Sequence, residues 1–466
     1  MSRKSGGDQL GELQVKILSF QKLSKASLRN WIILGLAVTF LAYVILIPPL
    51  GPLPRAEWPE IKQVPENRNA WREYEPAAAE MKGKDWAMGL GTPEDLSKLN
   101  AEQKAFLDRH GKAFTHVLAG SRLPYAQFYK APLTMTTKTP DYPLVLRLTM
   151  TSLCQVRRLE IENRPKEAAQ LLLSVYRMAS DMAEPNTGLL PVMISLRGRQ
   201  KAAFFLFRWF GEGKTDRAMV RDALTRIAEA NGRMPTADEV ISWEWRAVER
   251  ELENTLVRGS STEKTGQDLA RIPYGFRLRI YRSFMRQYGA VQAAMQPGLR
   301  SWDFKALEET SRKTTEDVQK SSNWMKHPLP WDLVAWILTA IVVPTVDKPA
   351  RTLYLDKANS SALLALGAAL AYRKTHGKFP EALAPALKEA GLATPPDPCT
   401  GKPVGYRLEK GKPVVWLAGF DGKDDGGKTP YENSDFRISQ GTDLVYRLGE
   451  IPPWLFPPAR VKGAGH

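Results

Sequence analysis

The sequence predicts a mainly α-helical, membrane-anchored protein with a small α+β domain near its C-terminus. Three observations support this fold class. An uncharged apolar segment lies between residues 31 and 50. Apolar residues then recur at helical spacing over much of the chain as far as about residue 376. Beyond that point, alternating apolar residues and glycine-containing turns indicate short antiparallel strands.

The composition of the chain is that of a folded protein, and its 466 residues are enough for two or three domains. The formal net charge of +16 favours anionic partners such as lipid head groups or acidic polymers. No dense basic run occurs, so no specific nucleic-acid partner is expected. Cys154 and Cys399 lie far apart without CxxC spacing, which excludes a disulfide framework and a thiolate metal site but leaves open whether the two pair.

The apolar segment WIILGLAVTFLAYVILI runs from Trp31 to Ile47 and contains no charged residue. As a helix it spans roughly 25 Å, and its apolar flank through Leu50 brings it near the thickness of a bilayer core. A signal peptide would usually have a shorter apolar region, and the following PPLGPLPRAEW has no small-x-small cleavage site. We therefore predict an uncleaved transmembrane helix.

Six basic and two acidic residues precede this helix, so the positive-inside rule predicts a cytoplasmic N-terminus. The bulk of the chain would then lie outside the inner (cytoplasmic) membrane, in the periplasm. A second apolar segment, Leu333 to Val343, has only 11 residues and is predicted to be a buried helix. The predicted segments are 1–30 (cytoplasmic, basic), 31–50 (transmembrane), 51–65 (proline-rich linker), 66–348 (extracytoplasmic, helical), 349–450 (α+β) and 451–466 (tail).

The clearest helical unit is a hairpin within LCQVRRLEIENRPKEAAQLLLSVYRMASDMA. Asn163 is predicted to cap its second helix, with Pro165 in the first turn. The hairpin looks like a tetratricopeptide-type unit, but no 34-residue repeat is present, so an irregular bundle is favoured. Further helices are predicted at about 101–119, 188–210, 216–230, 236–257, 276–296, 303–320 and 350–376.

The segment RIPYGFRLRIYRSFMRQYG, residues 271–289, interleaves five arginines with five aromatic residues. One interpretation is a contact site for an anionic lipid or polymer, where arginine and aromatic rings act together. The other is a buried aromatic face with arginine stems lying beside it. The sequence favours the second.

The C-terminal part changes from helical to strand patterning. A long helix is predicted to end at Gly377 as its C-cap, with Pro380 just beyond. Alternation over 404–408, a turn at Gly411 and an apolar run over 414–417 predict a β-hairpin. DFRISQGTDLVYRL adds one or two further strands. The expected product is one long helix packed on a small antiparallel sheet.

The order of these segments resembles the C-terminal domain of the major, protein G-like pseudopilins of type II secretion. The resemblance covers roughly residues 357–447 and rests on YRKTHGKFPEAL, DPCTGKPVGYRL and VVWLAGFDGKDDGG, followed by SDFRI. The matching residues are Tyr372, Gly377, Phe379, Pro380, Asp397, Pro398, Gly401, Pro403, Tyr406, Gly419, Asp421, Gly422, Gly426, Gly427 and Asp435.

Two departures from that family change what the resemblance implies. The apolar segment lacks the leader-peptidase site and the glutamate that pseudopilins carry, and roughly 300 residues separate it from the matching helix. Packing into a pilus-like fibre needs a continuous helix. We therefore expect a reused domain rather than a fibre subunit.

The candidate metal site lies in the loop that begins with DGKDDGGK at Asp421. An EF-hand is excluded, because Lys423 would occupy the third ligand position. The resemblance implies that Ca²⁺ is held by Asp421 and Asp435, with carbonyls from near Ala418 and the glycine turn. Asp425 is the third candidate carboxylate. The alternative is a solvated acidic turn whose charge is offset by nearby lysines.

Common catalytic motifs are missing from the sequence: no HxH, HExxH, GxSxG, P-loop or GxGxxG pattern occurs. The sequence leaves enzymatic activity open and favours its absence. It predicts a binding or scaffold protein of the bacterial cell envelope, with envelope protein partners and a link to secretion or surface assembly. The alternatives are a pilin-type subunit and an envelope hydrolase with an acidic site assembled from distant segments. Two carboxylates in one deep pocket would favour the hydrolase, and a convex, pocket-free surface would favour the scaffold.

Overall fold

The computed structural model describes residues 61–83, 98–130, 137–184, 187–212, 215–259, 271–321, 330–342, 346–428 and 442–455, together with Gly35. The rest of the predicted anchor, residues 260–270, Asp435 and most of the predicted tail lie outside the described residues. Among the described helices, none has the length and apolar character that crossing a membrane requires.

The described residues form thirteen α-helices and one three-stranded antiparallel sheet, which confirms a mainly helical fold with a small sheet. The helices are α1 (Trp71–Ala79), α2 (Ala101–Arg109), α3 (Gly111–Gly120), α4 (Tyr142–Ile161), α5 (Pro165–Asp181), α6 (Leu189–Gly211), α7 (Arg217–Asn231), α8 (Ala237–Leu252), α9 (Tyr274–Ser301), α10 (Phe304–Ser321), α11 (Pro330–Val342), α12 (Asp347–His376) and α13 (Leu383–Glu389). The strands are β1 (Gly405–Glu409), β2 (Lys412–Leu417) and β3 (Leu444–Arg447).

The predicted hairpin is formed by α4 and α5, and its turn differs in one detail. Pro165 begins α5 as predicted, but Asn163 does not cap it. Asn163 instead adopts a left-handed conformation with φ of 57°, and Arg164 is the N-cap residue. Asparagine tolerates this conformation better than most residues, so it serves the turn rather than the cap. Helix α5 packs against α3, α4, α6 and α7 and is buried along most of its length.

A buried arginine joins four helices at the centre of the larger of two compact units. The side chain of Arg199, on α6, is 1% exposed, and its Nε lies 2.8 and 3.0 Å from the two carboxylate oxygens of Asp356 on α12. Its guanidinium also donates to oxygens of Ser180, Tyr176, Asn231 and Ser360. These partners lie on α5, α7 and α12. The guanidinium of Arg199 therefore pairs with the carboxylate of Asp356 and connects its own helix to three others.

The C-terminal sheet has the predicted hairpin and turn. Strands β1 and β2 pair from Gly405 opposite Trp416 to Glu409 opposite Lys412. Lys410 and Gly411 connect them with φ of 49° and 74°, the positive values that a tight hairpin turn requires. Strand β3 pairs with β2 on its other edge.

Helix α12 connects the sheet to the helical bundle. It ends at Gly377 with φ of 74°, which confirms the predicted C-cap. It packs against β2 and β3 and also against α6 and α7. On the sheet side, Tyr354 donates to the carbonyl of Ala418, and Tyr446 donates to Asn359 Oδ1 at 3.0 Å. The predicted boundary between residues 348 and 349 therefore lies inside one compact unit.

Among the described residues, the smaller unit contains 252–259, 271–287 and 330–338, together with Gly35. Leu256, Ile280 and Tyr281 form its core, each 1% exposed. Phe284 is also fully buried, as expected if the aromatic face of α9 packs inward. The predicted short helix is present as α11, but its burial is partial, because Ile337 is 50% exposed.

Candidate functional site

A cavity of about 520 Å³ lies in the larger unit, where the end of α5 meets the segment 125–129 and the residues that follow α7. We call it the Glu184 cavity. Its polar and charged lining includes Lys62, Tyr125, Gln127, Tyr129, Asp181, Glu184 and Arg233. Two carboxylates thus line one cavity of the helical region.

The wall of the cavity is fixed by Asn69, just before α1. The backbone N–H of Ala70 donates to Tyr125 O at 2.7 Å. The backbone N–H of Gln127 donates to Asn69 Oδ1 at 2.9 Å. Asn69 Nδ2 in turn donates to the carbonyl of Gln127 at 2.7 Å. Because a buried asparagine satisfies backbone groups on both sides, the segment 125–129 is held in place beside α1.

Glu184 is 4% exposed and has two unlike oxygens. Oε1 accepts hydrogen bonds from Trp71 Nε1 and, at 2.6 Å, from the N–H of Phe128. Oε2 has one long contact, 3.4 Å, with the N–H of Tyr129. Burial raises the pKa of Glu184 to about 8, against the opposing effect of these donors. The side chain is therefore mostly protonated at neutral pH.

Asp181 is the second carboxylate and has the opposite character. Its Oδ1 accepts from Arg177 Nε at 2.8 Å and lies 3.3 Å from Arg233 Nη1, while Oδ2 accepts from the Tyr74 hydroxyl at 2.9 Å. Burial raises its pKa, and the two guanidinium groups oppose the rise. Asp181 thus has two cationic partners, whereas the donors to Glu184 are an indole and backbone N–H groups.

The cavity lining offers two cationic side chains to a ligand. These are Lys62 and Arg233, and burial holds the pKa of the neighbouring Glu184 at about 8, so that this carboxyl is mostly neutral at pH 7. At the opening, Tyr125 is 43% exposed. This combination can hold an anionic group by charge while the carboxyl of Glu184 offers a hydrogen bond.

One residue of this site has a weak signal in the sequence. Asp181 follows Met178 by three residues, on the apolar face of α5, where a charged residue has to be paired. The partners of the two carboxylates come from α1, the segment 125–129 and the residues after α7. No local spacing connects these positions.

The predicted metal residues that the structure describes, Asp421 and Asp425, lie in the C-terminal loop. Asp421 and Asp425 are both exposed, and Asp421 Oδ1 accepts from the N–H of Lys423 at 3.1 Å. Asp435 lies outside the described residues. The loop is organised instead by the fully buried Asp443, which accepts from the N–H groups of Asp425 and Gly427 at 3.0 and 2.7 Å.

The carbonyl groups expected to bind calcium already have partners. Those of Gly426 and Gly427 accept hydrogen bonds from Arg407, and that of Ala418 accepts one from Tyr354. Within the described ranges, no three His, Cys, Asp or Glu side chains are placed to share a metal ion. The calcium site formed by Asp421, Asp425 and Asp435 stays a prediction.

Calcium binding is expected to raise the melting temperature of the full-length chain in detergent, and Asp421→Ala should remove the rise, because a carboxylate ligand is lost. Differential scanning fluorimetry with millimolar Ca²⁺ or a chelator measures this. Glu309→Ala, an exposed carboxylate on α10, is the control. Identical melting with Ca²⁺ and with chelator would exclude the site.

Comparison with protein-family models, curated proteins and solved structures finds no match to this chain. The two cysteines do not pair: Cys154 is buried and Cys399 partly buried, and both are free thiols.

Proposed function

We propose that this chain is an envelope-anchored binding protein whose Glu184 cavity captures an anionic group of an extracytoplasmic ligand. The observation that carries the proposal is the cavity itself, with Lys62 and Arg233 on its lining beside the buried carboxyl of Glu184. An anion brings its negative charge to these cations without requiring Glu184 to ionise. An acidic sugar unit fits this chemistry, because the exposed Tyr125 offers the C–H side of a sugar an apolar ring face and its hydroxyl groups a phenol O–H.

Lys62 offers the cleanest test, because its side chain is exposed and no described contact holds it in the buried network. We expect an oligogalacturonate to bind the full-length chain and a neutral galactose oligomer of equal length to bind much more weakly. Lys62→Met should weaken oligogalacturonate binding about tenfold, the size of one charged hydrogen bond. Isothermal titration calorimetry measures both affinities, and Lys112→Met, on α3, is the matched control.

The pH dependence adds a second criterion. As pH rises through about 8, Glu184 ionises and places a negative charge beside the ligand. The affinity for oligogalacturonate should therefore fall from pH 7 to pH 9, and Glu184→Gln should flatten the decrease. Equal affinity for the acidic and neutral oligomers would contradict the proposal.

An envelope hydrolase is the second candidate, supported by the two carboxylates on one cavity lining. The protonated Glu184 would act as general acid toward a leaving oxygen, as carboxyl groups with raised pKa do in glycosidases. Asp181, paired with two arginines, would hold Arg233 in position. This function predicts that the chain releases reducing ends from envelope polysaccharide, and that Glu184→Gln loses the release while Lys112→Met keeps it. If no polysaccharide is cleaved, the hydrolase is excluded and the binding function stands.

The envelope setting rests on the sequence. The apolar segment over residues 31–50 supports an anchor with a cytoplasmic N-terminus, and the ordered C-terminal motifs support a pseudopilin-like domain linked to secretion or surface assembly. The small sheet packed on α12 is compatible with that domain. A reporter fused after His466 should be active outside the cytoplasm, and activity only inside would overturn the topology. Crosslinking from membranes, followed by co-purification, would identify the protein partners.

A further inference from the structure

A second cavity, of about 470 Å³, lies in the larger unit between α1 and the start of α4. We call it the Trp71 cavity. Its α1 wall is one face of the helix and of the turn that follows, because the lining residues recur at helical spacing: Trp71, Glu75, Ala78, Ala79 and Lys82. The opposite wall consists of Phe128, the segment 138–141, Leu144 and Val145.

The floor of the Trp71 cavity is apolar and held in place. Trp71, Ala78, Leu144 and Val145 are all buried, and the Phe128 ring packs edge-on against the Trp71 ring with their centres 5.2 Å apart. Trp71 Nε1 and the backbone N–H of Phe128 both donate to Glu184 Oε1. Because both aromatic residues are anchored in this way, the cavity is formed before a ligand enters, as is usual for sites that bind small molecules.

The exposed lining residues of this cavity carry two charges of each sign. The α1 wall contributes Glu75 and Lys82, and the opposite wall contributes Lys138 and Asp141. Glu75, Lys82 and Lys138 form no hydrogen bond or ion pair among the described residues, so their charges are available to a ligand. A ligand with a net charge would be attracted by one pair and repelled by the other, whereas a ligand that carries both charges can satisfy both pairs.

We propose that the Trp71 cavity binds a zwitterionic amino acid with an aromatic side chain. The ring of the ligand packs on Trp71 and Phe128, where offset or edge-on contact between aromatic rings is favourable. Its carboxylate meets the two lysines, and its ammonium group meets Glu75 and Asp141. The proposal does not depend on the ligand of the Glu184 cavity, whose lysine, Lys62, is absent from this lining.

The test is isothermal titration calorimetry of the full-length chain with L-phenylalanine. We expect binding that is about tenfold or more weaker for N-acetyl-L-phenylalaninamide, which keeps the ring but lacks both charges, since each charged hydrogen bond contributes on this scale. L-alanine, which keeps both charges but lacks the ring, should also bind much more weakly. Equal affinity for L-phenylalanine and either analogue would overturn the proposal.

Two surface variants locate the binding in the Trp71 cavity without disturbing its buried floor. Lys138→Met should weaken L-phenylalanine binding about tenfold, whereas Lys62→Met and Lys112→Met should leave it unchanged. Ala79→Leu places a larger apolar side chain at an exposed position of the wall and should abolish binding, while Ala105→Leu, at an exposed position of α2, is the matched control. Native affinity in both Lys138→Met and Ala79→Leu would place the amino acid elsewhere and overturn the proposal.

Discussion

Arg199→Met is expected to destabilise the protein by about 3 to 5 kcal/mol, the cost of removing one partner of a buried ion pair. The substitution leaves the carboxyl group of Asp356, which is 90% buried, without its cationic partner. It also removes the donor that Tyr176, Asn231 and Ser360 share. Chemical denaturation, followed by circular dichroism, measures the change in the free energy of unfolding.

Two further variants separate the ion pair from simple loss of packing. Arg164→Met removes an exposed arginine bonded to Glu167 and should cost much less than Arg199→Met, because water screens an exposed ion pair. Combining Arg199→Met with Asp356→Leu should recover part of the loss, because no unpaired charge remains buried. If Arg199→Met alone were as stable as the native chain, the hydrogen-bond network around Arg199 would contribute nothing to stability.

Glu184→Gln is expected to remove a pH dependence of stability between about pH 4.5 and pH 8. In that window the folded chain keeps the proton on Glu184 while the unfolded chain has lost it, so the free energy of unfolding falls as pH rises. Below the unfolded pKa both states are protonated and the contribution is constant. Above pH 8 the free energy of unfolding is lowered by the full cost of ionising a buried carboxyl. This cost is on the order of several kcal/mol, since one pKa unit corresponds to about 1.4 kcal/mol.

The comparison is made between variants at each pH, because other buried carboxyls such as Glu160 and Glu249 also have raised pKa values. Glu184→Gln should match the native chain near pH 5 and exceed it in stability at pH 9. Glu162→Gln, an exposed glutamate bonded to Arg158, is the control and should follow the native profile. A native profile parallel to that of Glu184→Gln would mean that Glu184 is ionised throughout.

Helical periodicity predicted most helix positions to within a few residues, because each depends on local spacing alone. The exception is the helix expected at 101–119. It is divided at His110 into α2 and α3, and the His110 ring donates from Nδ1 to Phe106 O, one turn back in α2, at 2.8 Å. Glycine at position 111 follows this break. Such a break depends on a side-chain bond that apolar spacing does not reveal.

The candidate site could not be predicted in the same way. Glu184 acquires its character from Trp71 and Phe128, which are 113 and 56 residues away in sequence. Only the folded chain brings an indole and a backbone amide to the same oxygen. The acidic C-terminal loop was predicted to bind a metal because its carboxylates are close together in sequence. The residue that organises the loop is Asp443, which no sequence motif singles out.

The position of Asp356 has a consequence for the order of events during biosynthesis. Arg199 is synthesised 157 residues before the carboxylate that neutralises it. Until α12 has been made, the nascent helices α5, α6 and α7 can assemble only around an uncompensated guanidinium, which is costly to bury. Completion of this unit therefore waits for the C-terminal quarter of the polypeptide. For an exported chain, that delay maintains the unfolded form in which a polypeptide can thread through a translocation pore.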